Sequence, residues 1–341
     1  MRKSHRAIVI AARRSLLARR QAELVGTALG RLNPHVSVQY RWLESEADHY
    51  PDQPLDRIPR SPAAPNHPDG PKTDVGIGKG LFTKTIEQAI MNGTADIAVH
   101  SLKDLPVAQV GEGLILATIP SRADVRDCLI CREGITSIES LPQGATVGTA
   151  SPRRIAQIRR LRSDLSPRFI RGNIDTRLRK VKDGQYDATI LSVAGLRRAD
   201  LSHHVTNPIS LSNMLPAAGQ GALAVQCRSD DHVTIQRCLP INNPVTAAAV
   251  HAERDVVGEL GCDCHSPIAV LAEPIGDHGS EGFHLWARIL SLDGTTCLEA
   301  QEHASPSELG KLTKRVVSNL ISQGARSLLA ETANNQVPLN S

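Results

Sequence analysis

The stretch DIAVHSLKDLP, residues 96–106, joins a short apolar run to a polar turn that closes at a proline. Asp96 to Val99 has the character of a buried strand, and Pro106 interrupts regular structure. His100 to Asp104 therefore follows the carboxyl end of a predicted strand. Since ligands of α/β proteins collect where strand ends meet helix starts, this turn is a candidate site.

The chain on the N-terminal side of this turn alternates apolar runs with helical patterns. We predict strands at Ile8 to Ala12 and Val36 to Leu43, and helices at Ser15 to Leu32 and Gly80 to Met91. Ser15 is the predicted N-cap of the first helix. A β-α-β-α order is typical of a largely parallel sheet covered by helices, so the predicted fold class is α/β.

The chain has 341 residues, which is too many for one core, and two further α/β units follow. They begin near Arg126 and near Asn243. Their predicted elements are a strand at Ala145 to Gly148, a helix from Ser151, a strand at Tyr186 to Val193, a helix at Ala247 to Leu260, a strand pair at Gly282 to Leu292 and a helix from Pro306. The proline-rich segment Pro51 to Lys72 lacks apolar periodicity and is a predicted loop.

Composition argues against several classes of protein. The chain is 40% apolar and 22% charged, with a net charge of +4, as in soluble globular proteins. Eight aromatic residues are few for stacking on nucleic-acid bases. No apolar run reaches the roughly 18–20 residues that span a bilayer. The seven cysteines, an odd number, indicate reduced thiols and a cytoplasmic location.

The segment from Arg153 to Lys182 is strongly basic, with eleven arginines and lysines against two acids. A solvated helix face, a nucleic-acid groove and a site for small anions are all open interpretations. Its start favours the anion site, because Ser151 is a predicted N-cap, Pro152 the first helical residue, and two arginines follow. Arg13 and Ser15 repeat this arrangement at the first strand-to-helix junction. Together the two junctions predict a polyanionic ligand held between two units.

Asp104 is the candidate catalytic group, since it lies at a strand end among expected cations. Those neighbours favour an ionised carboxylate, which would stabilise cationic intermediates and relay protons. Lys103-Asp104 taken alone is more often a surface pair.

Cysteine spacing allows two interpretations. Cys128-x-x-Cys131 and Cys262-x-Cys264-His265 have spacings found in zinc sites. The first pair falls in a predicted strand, however, where residues three apart face opposite sides. We therefore expect no metal. Cys264, in a predicted loop, is a candidate for covalent chemistry as a thiolate.

Taken in order, these motifs resemble the porphobilinogen deaminase (hydroxymethylbilane synthase) family along nearly the whole chain. The matching stretches are Ala12 to Ser15 with Gln21, Gly78 to Phe82, Asp96 to Pro106, Arg126-Asp127, Val147 to Arg154, Arg171 to Asn173 with Thr176-Arg177, Val193 to Leu196, Pro216 to Ala222 and His251 to Arg254. Each match is weak alone, but their number and order are specific.

The resemblance implies three α/β domains. Domains 1 and 2 would resemble type II periplasmic binding proteins, and domain 3 would be a small α/β domain carrying the cofactor cysteine. The expected ranges of domains 1, 2 and 3 are 1–121 plus 220–239, 126–215 and 243–341. Segment 51–75 would be an insertion in an active-site lid.

The same resemblance implies a reaction and a cofactor. The enzyme would deaminate four porphobilinogen molecules, join them head-to-tail on a dipyrromethane and release hydroxymethylbilane by hydrolysis, a step of tetrapyrrole biosynthesis. The cofactor would be bound through a thioether to Cys264, three residues before Pro267-Ile268, with Cys262 as the competing anchor. The expected state is a monomer that binds neither nucleic acid nor membrane.

The resemblance also assigns residues. The catalytic residues would be Asp104, Arg13, Arg171 and Arg177. The cofactor would be held by Ser101, Lys103, Asp104, Thr149, Ser151, Arg153, Arg154 and Arg171, and the substrate by Arg13, Ser15, Gln21, Phe82, Arg171, Arg177 and Arg198. The chain departs from the family pattern at 45–48, at 75–78 and in a longer stretch between Leu55 and Lys79. A two-domain anion-binding protein without catalysis is the first alternative, and a nucleic-acid binder using the basic segment is the second.

Overall fold

A computed structural model describes residues 7–44, 83–107, 111–263 and 266–334. The strands are, in chain order, β1 (Ile8–Arg13), β2 (Val38–Leu43), β3 (Ile97–Ser101), β4 (Leu114–Thr118), β5 (Asp127–Cys131), β6 (Thr146–Gly148), β7 (Ser166–Arg168), β8 (Ala188–Ser192), β9 (Asn207–Pro208), β10 (Leu223–Arg228), β11 (Ile268–Ile275), β12 (Gly282–Leu290) and β13 (Cys297–Ala304). The helices are α1 (Leu16–Leu32), α2 (Lys84–Met91), α3 (Pro152–Leu161), α4 (Ile174–Lys182), α5 (Val193–Arg198), α6 (His232–Cys238), α7 (Pro244–Glu259), α8 (Leu309–Ser322) and α9 (Ala325–Asn334).

Two five-stranded sheets share one plan. Their strand orders are β2-β1-β3-β10-β4 and β7-β6-β8-β5-β9. In each, the first three strands are parallel, as predicted, and the last two pair antiparallel. Because β10 returns to the first sheet, the chain passes between the sheets twice, at 119–126 and at 209–222. These two segments are called the crossovers below.

A third sheet has the order β11-β12-β13 and is fully antiparallel. Helices α7 and α8 cover it, and Val256, Leu285 and Val316 are fully buried between these layers. Fully burying such side chains stabilises the fold by about 1.5–3 kcal/mol each. The predicted α/β class is confirmed. Each sheet draws its strands from one predicted domain range, while the domain boundaries themselves stay predictions.

The first helix forms as its sequence predicts. Ser15 is the N-cap, and its Oγ accepts the N–H of Ala18 at 3.4 Å. Ala22, Val25 and Leu29 recur at helical spacing and are buried against β1 and β3. Burial of this stripe fixes α1 on the sheet and sets the position of the residues that precede it.

One local prediction is confirmed and another needs correction. Ser151 is the N-cap of α3 and Pro152 opens the helix, as predicted, although the Ser151 side chain makes no capping bond; the Ser151 N–H donates to Thr149 Oγ1 at 3.2 Å. The predicted strand pair at Gly282 to Leu292 was wrong. That segment is one strand, β12, and its partner β13 follows a turn in which Asp293 accepts the N–H of Thr295.

Candidate active site

The turn at the end of β3 is anchored by an apolar residue. Leu102–Asp104 forms one turn of 3-10 helix. Leu102 is fully buried and donates its N–H to Ala222 O at 3.1 Å. Burial of Leu102 fixes the turn. The Asp104 side chain is exposed, and Lys103 Nζ donates to Gln220 Oε1 at 3.1 Å. The strand end thus presents a carboxylate and an ammonium side by side.

The first strand-to-helix junction meets this turn. Parallel pairing sets Ala11 opposite Ala98, so Arg13 at the end of β1 lies at the same sheet edge as Ser101. Gln21 is buried in α1, and its Nε2 donates to Ser101 Oγ at 2.8 Å. Ser15 stands half-buried at the start of α1. The structure therefore brings together two motifs that the sequence gives 80 residues apart.

Arg153 and Arg154, at the start of α3, approach Lys103 from the second sheet. Both are buried, with 4% and 7% of their surface exposed. Arg153 Nη2 donates to Asp127 Oδ2 at 2.8 Å, and Arg154 Nη2 donates to Asp127 Oδ1 at 2.6 Å. Thr149, on the same strand-to-helix connection, is buried as well, and Ser151 is half-buried. Both arginines thus share one buried carboxylate.

Three further predicted arginines come from α4, α5 and the loop before α4. Arg177 Nε donates to Gly172 O at 2.9 Å, and Arg198 Nη2 donates to Gly221 O on the second crossover at 2.7 Å. Gly172 has φ of 107°, and a Cβ there would lie 2.8 Å from Thr176 Cγ2, so the turn beside Arg171 requires glycine. Arg171 is half-buried at this turn.

Burial lowers the pKa values of two of these cations. It lowers the pKa of Lys103 to about 8, an effect to which Arg154 and Arg153 add and which Asp104 and Asp127 oppose. Burial also lowers the pKa of Arg177 to about 10, with contributions from Arg154 and Arg171 and opposition from Asp104. Asp104 therefore interacts electrostatically with a cation of its own turn and with one from α4. We call Lys103, Arg153, Arg154, Arg171 and Arg177 the cationic site.

Sequence reasoning missed the residues that hold this site. Asp127 was noted only as part of a motif, although an acid that opens a buried apolar strand requires a counter-charge. Gln220, fully buried on the second crossover, was likewise not assigned. Arg254 on α7 donates to Leu105 O and Pro106 O, at 3.1 and 2.7 Å, and so fixes the segment after Asp104.

The cysteine predictions have mixed outcomes. Cys264 and Phe82 lie outside the described residues. Cys262 packs against the core under the third sheet, and burial raises the pKa of its thiol to about 11 although Ser266 opposes the shift. Cys128 and Cys131 are free thiols on β5. Among the described residues, no three His, Cys, Asp or Glu side chains form a group that could hold a metal ion.

The described helices include none whose length and apolar character would allow it to cross a membrane. The fold and the site together define an α/β protein that brings cations from two sheets together beside a carboxylate.

Comparison with known proteins identifies the family. Residues 8–236 match the family model described as porphobilinogen deaminase, dipyromethane cofactor binding domain. A porphobilinogen deaminase from Syntrophobacter fumaroxidans is 38% identical over 327 residues, which cover 96% of this chain and 98% of that protein. One from Chromobacterium violaceum is 38% identical over 323 residues, covering 95% and 97%. The chain belongs to the porphobilinogen deaminase family, and the predicted resemblance is confirmed.

Solved structures resemble the chain only at low similarity. The aliphatic sulphonate binding protein SsuA of Escherichia coli is 12% identical, with a TM-score of 0.38, and covers 75% of each chain. A periplasmic binding protein with high arginine specificity from Salmonella typhimurium is 10% identical, with a TM-score of 0.39, covering 73% of this chain and 97% of that one. Similarity at this level carries no argument about the site.

Proposed function

We propose that this chain is a hydroxymethylbilane synthase. It deaminates porphobilinogen, joins four molecules head-to-tail on a covalently attached dipyrromethane and releases hydroxymethylbilane by hydrolysis, within tetrapyrrole biosynthesis. Membership of the porphobilinogen deaminase family supports the reaction. The structural observation that supports it most directly is the interaction of Asp104 with both Lys103 and Arg177.

The cationic site fits a polycarboxylate. Porphobilinogen carries one acetate and one propionate, so a dipyrromethane brings four carboxylates and each added unit brings two more. Burial lowers the pKa of Lys103 and Arg177, which means that their charges are held away from water at a cost that an anionic ligand offsets. We assign the cofactor to Ser101, Lys103, Asp104, Thr149, Ser151, Arg153, Arg154 and Arg171, and the substrate to Arg13, Ser15, Gln21, Phe82, Arg171, Arg177 and Arg198.

When bound, dipyrromethane supplies a pyrrole ring as the primer for chain growth. Asp104 accepts N–H hydrogen bonds from the substrate through its Oδ atoms and stabilises positive charge as ammonia leaves. Arg13, Arg171 and Arg177 hold substrate carboxylates and thereby orient the reacting ring. After each addition, the Asp104 carboxylate takes up the proton that is lost.

We assign the thioether to Cys264. Partial burial raises the pKa of the Cys262 thiol to about 11 and so disfavours the thiolate, which is the nucleophile. Cys262 is therefore a poor competitor. Its side chain is also packed against the core under the third sheet.

Intact mass spectrometry tests the attachment. The parent protein is expected to carry an adduct of two porphobilinogen units less two ammonia. Cys262→Ser, the matched control, should keep the adduct, and Cys264→Ser should lack it. An adduct lost only in Cys262→Ser would show that Cys262 is the attachment site. An unmodified parent from cells that make porphobilinogen would favour a non-catalytic anion-binding protein.

Substitution of Asp104 separates catalysis from anion binding. Asp104→Asn keeps the shape of the side chain but removes its charge and basicity, so turnover of porphobilinogen should fall by about 10²–10⁴-fold. Turnover is measured from the formation of hydroxymethylbilane by loaded enzyme. Unchanged turnover would remove Asp104 from the mechanism.

We further propose a cytoplasmic monomer that binds no nucleic acid. Reduced cysteines, as found for those described, support the compartment. Light scattering should give 36.7 kDa plus the adduct. A salt series with generic duplex DNA should show no steeply salt-dependent binding, which a nucleic-acid groove would produce.

A further inference from the structure

Asp127 is a fully buried carboxylate that opens β5 beneath the cationic site. Its two oxygens accept from different arginines, Oδ2 from Arg153 and Oδ1 from Arg154. Burial by itself would raise the pKa of Asp127, but Arg154, Arg153 and Lys103 outweigh burial and hold the pKa well below its usual range. Asp127 is consequently a fixed negative charge at every pH at which the protein works.

Each of the two arginines is held at a second point by the backbone. Arg153 Nη1 donates to Leu215 O at 2.7 Å, and Arg154 Nη1 donates to Ile190 O at 2.9 Å. A guanidinium is planar, so two bonds through different terminal nitrogens fix both its position and its tilt. Asp127 supplies one of the two bonds for each arginine.

The same carboxylate also determines how Gln220 is oriented. Gln220 Nε2 donates to Asp127 Oδ1 at 3.0 Å and to Val125 O at 2.7 Å. Because both neighbours are acceptors, the NH₂ of the amide faces them and the amide oxygen faces the other way. That oxygen accepts Lys103 Nζ at 3.1 Å. Asp127 therefore acts on a cation of the first sheet through one intervening amide.

We propose that Asp127 is a positioning residue that holds Arg153 and Arg154 directly, and Lys103 through Gln220, so that three cations from two sheets face one anionic ligand. The role rests on the proposed function, since it presupposes that this ligand is the polycarboxylate of the synthase reaction. Asp127 touches no substrate in this role. It acts only through the side chains that it orients.

The first test is a direct titration of Lys103 in the loaded protein. The chain has nine lysines, so the labelled side-chain signals are few, and Lys103→Arg assigns the one in question. In Asp127→Asn the NH₂ of Gln220 keeps Val125 O but loses its ionised acceptor, and a negative charge near Lys103 is gone. Both changes weaken the support of the Lys103 charge and lower the pKa of Lys103, by about one pH unit relative to the parent. Asp187→Asn, which removes a carboxylate paired with Arg132 just past the end of β5, should leave that pKa unchanged.

The second test asks whether Asp127 acts through the arginines. Asp127→Asn should raise KM for porphobilinogen about tenfold more than it lowers kcat. In an Arg153→Gln background the same change should raise KM by clearly less, because part of what Asp127 positions is already gone. Fully additive effects on KM, or a Lys103 pKa that does not move, would overturn the proposal.

The same variants also provide a control for loss of folding. Asp127→Asn leaves two buried arginines without their counter-charge, whereas Asp127→Asn with Arg153→Gln removes one charge of each sign. If the single variant does not fold, the Lys103 titration is made in the double variant against Arg153→Gln. If neither folds, Asp127 is a folding residue and the positioning role fails. The titration needs no turnover and is repeated in protein without the adduct, so failure of the synthase reaction and failure of this inference are distinguishable.

Discussion

Glu253→Gln should destabilise the protein strongly, because one buried carboxylate satisfies four donors. Glu253 has no exposed surface. Its Oε1 accepts Arg122 Nη1 at 2.6 Å and Ala272 N at 2.8 Å, and its Oε2 accepts Arg122 Nη2 at 3.0 Å and Gly219 N at 2.7 Å. These partners belong to both crossovers and to β11, so the carboxylate joins the third sheet to the connections between the other two.

The magnitude follows from the geometry of an amide. Whichever way the glutamine is placed, its NH₂ replaces an oxygen that served one guanidinium nitrogen and one backbone N–H. Two buried donors are left unsatisfied, at about 1–3 kcal/mol each. The expected loss of unfolding free energy is therefore about 2–6 kcal/mol. Removing one partner of a buried ion pair typically destabilises a protein by about 3–5 kcal/mol, which agrees with this range. This loss is a large part of the total free energy of unfolding of a typical domain, which is about 5–15 kcal/mol.

Urea unfolding followed by circular dichroism measures this loss. The matched control is Asp164→Asn, since Asp164 also accepts two bonds from one arginine, Arg162, but at the surface. Water replaces the lost acceptor there, so the control should change stability far less. A loss below about 1 kcal/mol for Glu253→Gln would refute the reasoning, because it would mean that water reaches the buried donors.

Three further predictions concern the site and its supports. The fall of kcat/KM at basic pH should occur at or above about pH 8, because Lys103 loses its charge as the pH rises through its pKa and ligand carboxylates can only raise that pKa. Lys103→Arg should move this fall to higher pH. If it does not move, the fall belongs to another group. An unfolded lysine stays protonated to about pH 10.4, so this titration raises stability between those values and cannot itself unfold the protein. Gly221→Ala should lower the free energy of unfolding, measured with urea, by more than about 1–2 kcal/mol, since φ is 84° and the new Cβ would lie 2.6 Å from Ala123 O. An unchanged free energy would mean that the crossovers separate easily. Arg254→Met should speed hydrogen exchange at the amides of Leu105 and Val107 while exchange in β1 stays slow. Equal exchange in both proteins would contradict the anchoring role.

Local patterns predicted the parts of the fold that depend on near neighbours. Ser15 caps α1 through a bond to a residue three positions away, and Leu102 and Pro106 bracket the turn after β3. The antiparallel return of β10 could not be predicted in this way. Val225 pairs with Val99, and nothing in the intervening chain marks the pairing, since backbone ladders depend weakly on residue type.

The candidate site shows the same division. Strand ends and basic residues are visible locally, so Asp104, Arg153 and Arg154 were predicted and are brought to one site. Asp127 meets its arginines across 26 and 27 positions and Gln220 across 93, distances at which periodicity says nothing. Only the chemical rule that a buried acid needs a counter-charge could have pointed from Asp127 to the basic segment.

Gln220 shows why stability and ligand binding cannot be separated in this fold. Its backbone belongs to the scaffold, because its carbonyl accepts Arg122 Nε at 2.8 Å and Arg122 is held by Glu253. Its side chain belongs to the site, because the amide joins Asp127 to Lys103. A displaced crossover must therefore displace the acceptor of Lys103. Destabilising changes at Glu253 should weaken the binding of carboxylates even where the protein remains folded, whereas changes at the distant Arg162–Asp164 pair should not.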